Sequence, residues 1–203
     1  DLNAHGYTVS WAVHNMASFG IAQTRVRVII VALLGSSKFE LQLPSTGSIS
    51  IKDALHDVEK LADFAPNPLK VGSVEKHIAR HISPGQKLSN VRSGPSSVHT
   101  WEIPEVFGFV DEKERRLLET IVRLRRQKRR RDYGDADPVA PEDLDASFGS
   151  DTKFIVSNLV RRRYLRRSGR YVDLTNTFNG KFRRLNWDSA SPTVDTRFGQ
   201  PRY

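Results

Sequence analysis

Residues 19–32 read FGIAQTRVRVIIVA. Gly20 punctuates a loop, and an unbroken apolar run begins at Val28. A segment apolar on both faces suits a strand in the middle of a sheet covered on both sides. The strand is expected over residues 26–34. In an extended chain Gln23, Arg25 and Arg27 project to one side. An amide and two guanidinium groups therefore enter the sheet together. Arg27 lies near the sheet end, where open α/β sheets place their ligands. A guanidinium there can donate two parallel hydrogen bonds to a carbonyl or phosphate, and it stays charged at any working pH. For an isolated Gln-x-Arg-x-Arg, ion pairing within the fold is the competing reading.

Upstream, HGYTVSWAVHNM (5–16) alternates and is β-branched, which gives a strand near 8–15. Downstream, SIKDALHDVEKLADF (50–64) reads as a helix with Ile51, Leu55, Val58 and Leu61 on one face and Ser48 or Ser50 as its cap. Residues 1–64 thus form an α/β unit. Residues 65–110 hold five prolines and read as an irregular connecting arm lying on other structure, because Trp101, Ile103, Val106 and Phe107 require burial. The arm carries His77, His81 and His99, read as polar surface or backbone partners. His77 and His81 could share a metal only on one helix, and no acidic third ligand has suitable spacing.

DEKERRLLETIVRLRRQKRRRDYG (111–134) is a helix with a Leu117, Leu118, Ile121 and Leu124 stripe and Gly134 as its stop. A short helix over 141–149 starts at Pro141. A third, over 150–163, is capped by Ser150 or Asp151 and buries Phe154, Ile155, Leu159 and Val156. YLRRSGRYVDL (164–174) is a hairpin turning at Ser168-Gly169, and Asn179-Gly180 offers a second turn. Helix, short helix, helix and basic hairpin is the order of a winged helix-turn-helix, whose third helix enters the major groove. Lys153, Ser157 and Arg161 fall on one face, with Asn158 and Arg162 beside them. Arginine reads guanine and asparagine reads adenine. Arg166, Arg167 and Arg170 surround the hairpin turn and suit phosphate contact. A three-helix packing unit with a charged exterior is the alternative. The run Arg125–Arg131 is equally a solvated face or a phosphate clamp.

Charge sharpens the contrast between the two halves. Of the net +9, residues 1–110 carry 10 Lys and Arg against 9 acids, whereas residues 111–203 carry 22 against 14. A basic second half points to a polyanion, most often nucleic acid. With 203 residues and 38% hydrophobic content the chain can bury a core. The absence of cysteine excludes disulfides, zinc–cysteine sites and any thiol nucleophile from this chain. No apolar stretch is long enough to cross a bilayer, and no signal-peptide pattern opens the chain, so a cytoplasmic location is expected. The first residues read as the middle of a domain.

FGIAQTRVRVIIVA resembles the aromatic-Gly-x-Pro-Gln-x-Arg-x-Arg motif of DNA (cytosine-5) methyltransferases, with Ala22 where proline is usual. SIKDAL (50–55) resembles the TVRDAL-like segment that follows it, and HIARHISP (77–84) resembles the family's His-x-x-Arg-x-x-Ser-Pro. FNGKFRRLNWDSASPTVDTRFGQPRY (178–203) resembles the end of the target recognition domain, with its Arg-Leu-x-x-Asp-x-x-Ser-Pro-Thr-Val pattern. The four matches keep the family's order.

The resemblance implies an edge of a Rossmann-like methyltransferase sheet in residues 1–64. It further implies a DNA target recognition domain over 111–203, winged-helix-like over 111–175 and ending in a hairpin and strand region over 176–203. It places the chain among enzymes of restriction–modification systems. Such enzymes flip a cytosine out of duplex DNA. A Cys thiolate attacks C6, a Glu engages N3, and C5 receives a methyl group from S-adenosylmethionine. The arginine matching Arg27 contacts the cytosine O2, while Arg25 and Gln23 order the pocket. Thr193-Val194 matches the Thr-apolar pair brought to the DNA, and Arg183 and Arg184 lie in the same basic segment. The Pro-Cys nucleophile and the Gly-rich cofactor loop are missing, as are the later Arg-x-Leu-Thr-x-Arg-Glu and Gly-Asn-Ser motifs. By itself the chain is expected to be inactive and to bind no S-adenosylmethionine, its partners being double-stranded DNA and a separate catalytic chain. A stand-alone winged-helix DNA-binding protein is the alternative, and a basic RNA-binding protein would leave the four ordered matches unexplained.

Overall fold

Strand β1 (Tyr7–Asn15) meets its partner only after a loop and a short strand, β2 (Gln23–Thr24), have been made. The partner is β3 (Val26–Leu34), antiparallel, with Tyr7 opposite Leu34 and Asn15 opposite Val26. The Asn15 side chain holds the two ends of the loop together. Its Oδ1 accepts from the backbone N–H groups of Ala17 (3.2 Å) and Arg25 (3.1 Å). Gly20 has φ +72°, and an added Cβ there would sit 3.2 Å from Thr46 Oγ1. Its N–H donates to the Gly47 carbonyl, so glycine is needed for both conformation and space.

The computed structural model describes residues 1–35, 37–61, 69–134, 136–149, 152–177 and 182–193. Their contacts divide the chain into two units, Asp1–Asn67 with Leu185–Arg202, and Pro68–Arg184. In the first unit the β1–β3 ribbon departs from expectation. The apolar run of β3 reads as a strand covered on both faces, yet its sheet has two strands. Directly opposed residues share a face. One face therefore carries Trp11, Val13, Val26, Val28, Ile30 and Leu34, all exposed, with Trp11 at 65% and Ile30 at 62%.

Helix α1 (Ile51–Leu55) begins with a capping box between Ser50 and Asp53. The Ser50 hydroxyl, the first influence on the Asp53 carboxyl, holds it below the ordinary carboxylate value. The helix is shorter than its apolar spacing predicts. A 3-10 turn follows at Val58–Lys60, and Leu55 and Leu61 are exposed. Local propensity for a short helix is weak without a packed face. The first turn of α1 is instead tied to a distant segment, Ile51 N–H to Ser189 O and Lys52 N–H to Trp187 O, both 3.0 Å.

The second unit holds two cores. In the smaller, α2 (Val74–His81), capped by Ser73, packs Ile78 with Ile82, Leu88, Val98 and Ile103. Here β4 (Lys87–Leu88) and β5 (Ser97–Val98) pair in parallel. The proline-rich arm is ordered by side-chain amides and imidazole. Asn90 and Thr100 exchange two buried hydrogen bonds (2.9 and 3.0 Å). His99 Nδ1 lies 2.8 Å from the Ser89 carbonyl, and its ring stacks on buried Trp101 at 4.4 Å. The turn α3 (Pro104–Phe107) closes the arm.

The larger core joins α4 (Glu112–Gln127), α5 (Pro141–Phe148), α6 (Thr152–Arg161) and the hairpin β6 (Leu165–Ser168) and β7 (Tyr171–Leu174). The expected α4 stripe, Leu117, Leu118, Ile121 and Leu124, is fully buried. Three details differ. Helix α4 ends at Gln127 rather than near Gly134, because the Asp137 carboxylate accepts the N–H groups of Arg130 and Arg131 and draws the chain out of the helix. The hairpin register places Ser168 opposite Tyr171, so the turn is Gly169-Arg170, one residue later than expected, with Gly169 supplying φ +59°. Phe154 is 80% exposed, since Ile155, Val156 and Leu159 occupy the inward face of α6. The expected caps Ser150 and Asp151 and the Asn179-Gly180 turn lie outside the described residues.

Burial is the main influence on His99 and holds it below 6.5, against the opposing pull of Glu102. The folded imidazole is therefore neutral where the unfolded one protonates. Its contribution to stability is complete above about pH 6.5 and is lost as pH falls below that value. Urea midpoints measured between about pH 7.5 and 5 should drop for the wild type and drop less for His99→Gln. Parallel profiles would show that His99 does not carry this dependence.

Candidate functional site

In the first unit Gln23, Arg25 and Arg27 are divided between two sheets. Gln23 and Thr24 pair in parallel with β8 (Ser191–Pro192), Gln23 opposite Ser191 and Thr24 opposite Pro192. Val26 onward pairs with β1. Arg25 lies between the two strands, so the expected single run of extended backbone is interrupted there. Its carbonyl accepts the Met16 N–H at 2.9 Å. Gln23 is half-buried, whereas Arg25 and Arg27 are exposed. Arg27 Nη1 donates to the Val26 carbonyl at 2.7 Å. Among the described residues neither arginine has a carboxylate partner. Both can offer hydrogen bonds to a ligand carbonyl or phosphate.

Two residues neighbour this segment, His14, which carries no sequence signal of its own, and Thr193, whose motif lies at the far end of the sequence. His14 stands opposite Arg27 in the ladder and meets Phe19 edge-on at 5.4 Å. Thr193, from the far end of the chain, donates its hydroxyl to the Thr24 carbonyl at 3.0 Å, and Thr24 Oγ1 donates to the Ser191 carbonyl at 3.0 Å. The Gln-x-Arg-x-Arg and Ser-Pro-Thr segments are thus hydrogen-bonded to each other.

In the second unit the nominated cations fall into two groups, and buried carboxylates decide which. Glu114 is 3% exposed. It accepts from the α6 side, from Asn158 Nδ2 at 2.6 Å and from Arg162 Nη1 at 2.7 Å to each oxygen. Arg162 also donates to the Phe109 carbonyl, and Glu114 raises its pKa. Asp173 lies 2.6 Å from buried Arg125 and 2.8 Å from Arg166. Asp137 receives Arg131 Nε and two backbone N–H groups. The Arg130 and Arg131 amides hold its carboxyl far below the usual range. A buried carboxylate without such partners would cost several kcal/mol. Asn158, Arg162 and Arg166 are therefore parts of the fold.

On the hairpin Arg170 meets the exposed Glu142 at 2.7 Å. Lys153, Ser157, Arg161 and Arg167 are exposed, and Arg161 leans on Asn158 Oδ1 at 2.8 Å. Arg183 bridges Lys87 in a short antiparallel ladder. Arg184 binds 82–86 through its Nη1 to the Ile82 carbonyl (3.2 Å) and through backbone bonds to Gly85 and Gln86. The Arg125–Arg131 run is divided as well. Arg130 pairs with Asp143 and covers the Tyr171 ring, while Arg126 remains exposed. His77 and His81 do share α2, but His81 pairs with Glu105 at 3.3 Å, and no metal-ligating cluster exists among the described residues. No helix among the described residues is long and apolar enough to cross a membrane.

A family model described as C-5 cytosine-specific DNA methylase matches residues 1–177. The Type II methyltransferase M.NlaIV of Neisseria lactamica is 29% identical over 174 residues, which cover 81% of this chain and 39% of that protein. M.NgoBV of Neisseria gonorrhoeae is 28% identical with the same coverage. M.BanI of Aneurinibacillus aneurinilyticus is 25% identical over 182 residues, 79% of this chain and 42% of that protein. The chain thus spans about two fifths of the length of these curated relatives. No solved structure matches the chain.

Removing Arg162 leaves Glu114 with Asn158 and the Asp111 amide. Arg162 keeps 29% of its side chain in water. The loss on Arg162→Ala should therefore be about 2–3 kcal/mol, under the 3–5 of a fully buried pair. Lys153→Ala should stay within about 0.5 kcal/mol. Urea denaturation of the two variants checks the division; equal losses would contradict it.

Proposed function

The chain belongs to the C-5 cytosine-specific DNA methylase family, and we propose that it is the target-recognition part of such an enzyme. In this reading it binds duplex DNA sequence-specifically and helps hold the flipped cytosine during methyl transfer. The observation that carries the reading is the pairing of Gln23 and Thr24 with Ser191 and Pro192. Segments that resemble family motifs at opposite ends of the sequence meet at one place, beside two exposed arginines. Arg27 donates to the cytosine O2 and supports the negative charge that develops on the ring, a placed donor that acts in the transition state. Arg25 and Gln23 order the pocket wall, and Thr193 brings the neighbouring segment to the DNA.

The helices and hairpin of 111–175 act as a winged-helix-like reader. Base edges fall to Lys153, Ser157 and Arg161, and the phosphates beside the turn fall to Arg167. Arg183 and Arg184 border the same unit. S-adenosylmethionine serves the intact enzyme. The residues of this chain do not fit that cofactor, since they include no Gly-rich loop of the family's kind, and they include no cysteine to act as the nucleophile. The methyl donor and the nucleophile come from the catalytic part, supplied by the further length found in the relatives. The exposed apolar face of the β1–β3 ribbon supports this division. A face of that kind is a docking surface or an unfinished sheet, and a stand-alone DNA-binding protein has no use for it. A cytoplasmic location, with access to chromosomal DNA, goes with the reading.

In the complete enzyme Arg27→Ala should lower turnover by roughly 10²–10³-fold, as for loss of one oxyanion-type donor, while duplex affinity changes only a few-fold. Single-turnover methylation and fluorescence anisotropy on the same DNA separate the two. Equal losses in both would sink the assignment of Arg27 to the base pocket.

A further inference from the structure

We infer that an arginine-lined groove along α4, away from the α6 and hairpin residues nominated above, grips the sugar-phosphate backbone of duplex DNA. The inference rests on the reading of this chain as a DNA-binding unit and adds to it a second contact surface.

The groove has a volume of about 760 Å³ and is lined by Arg92, Arg116, Arg123, Arg126 and Arg129, with Glu119 as its single carboxylate. Elsewhere in this unit a buried acid is matched to nearby arginines. Here Arg129 reaches the Asp137 carboxylate at 3.8 Å, while Arg116, Arg123 and Arg126 stand beside one exposed acid, Glu119. Arg129 is fixed at the end of the groove, its Nη2 donating to the carbonyls of Arg131 (3.0 Å) and Tyr133 (2.7 Å). Arg116, Arg123 and Arg126 are exposed, and among the described residues none has a carboxylate partner. Glu119 offsets part of their mutual repulsion, and a polyanion relieves the remainder together.

The spacing suits a nucleic acid strand. Arg116 and Arg123 are two helical turns apart, and Arg126 lies about 15 Å from Arg116 along the axis. One strand of B-DNA advances about 3.4 Å per phosphate, so the row runs beside about four phosphates. Guanidinium forks match phosphate oxygens. A row of identical cations fixes register and carries no base code. A flat anionic bilayer does not enter a concave groove, which favours a rod-shaped polyanion.

The test uses the 203-residue chain and a fluorescein-labelled 20-base-pair duplex, with anisotropy measured across salt concentrations. In Arg116→Gln/Arg123→Gln/Arg126→Gln the slope of log K against log salt should flatten by about 2.7, or about 0.9 per lost phosphate contact. The loss should be equal for every DNA sequence. Arg126→Gln alone should flatten the slope by about 0.9, and the triple lysine variant should restore it. The three side chains are exposed, so thermal melts should be unchanged. Wild-type binding with an unaltered slope in the triple variant would overturn the groove and leave the recognition reading standing. Failure of the wild type to bind any duplex would overturn both. Preference for a duplex RNA of the same sequence would also overturn the inference.

Discussion

Buried carboxylates organise the second unit. Glu114, Asp137 and Asp173 have side chains only 3–5% exposed, and a carboxylate that far from water requires hydrogen-bonded cations around it. Each therefore recruits its own set. Glu114 joins α4 to α6 through Asn158 and Arg162. Asp173 draws Arg125 inward from α4 and Arg166 from the hairpin. Asp137 ends α4 by taking the next amides of the chain. Once these demands are met, the net positive charge of this half is no longer spread evenly. Among the described residues, exposed cations without a carboxylate partner remain on the outer faces of α4 and α6 and beside the hairpin turn, among them Arg116, Arg123, Arg126, Lys153, Arg161 and Arg167.

The first unit depends on a different constraint, the return of the chain to its own beginning. Residues 187–193 supply backbone partners to α1 and β2, and closing a loop of that length costs entropy that a two-residue ladder alone does not offset. The hydroxyls of Thr24 and Thr193 add side-chain hydrogen bonds to the same ladder. A comparable return operates within the second unit, where Phe182 and Arg184 bind Leu88, Gly85 and Gln86. Segments that resemble family motifs are the ones that make these returns, so their side chains and backbone serve position as well as chemistry.

Much of this was legible in the sequence where the signal is local. The α4 stripe, the Ser50 cap and the strands over 8–15 and 26–34 follow from period and cap chemistry within a few residues. What was not legible depends on distant partners. Nothing near Asn158 or Arg162 shows that Glu114 lies beneath them, so their residue types read as base contacts. Arg166 reads as a phosphate ligand until Asp173 is seen across the hairpin. Ser168-Gly169 reads as the turn because Ser-Gly is a frequent turn pair, whereas the register, with Leu165 opposite Leu174, places the turn at Gly169-Arg170. The α4 groove is not legible locally, because Arg92 is remote in sequence and the helix alone reads as a solvated charged face.

The most direct test of the recognition reading is a selection from a random duplex library with the 203-residue chain, at about 50 and 200 mM salt. The account predicts a short enriched motif that persists at the higher salt, because exposed α6 side chains read base edges while the arginines hold the backbone. Binding that collapses with salt and enriches no motif would contradict it, leaving a basic protein that holds phosphates without reading sequence.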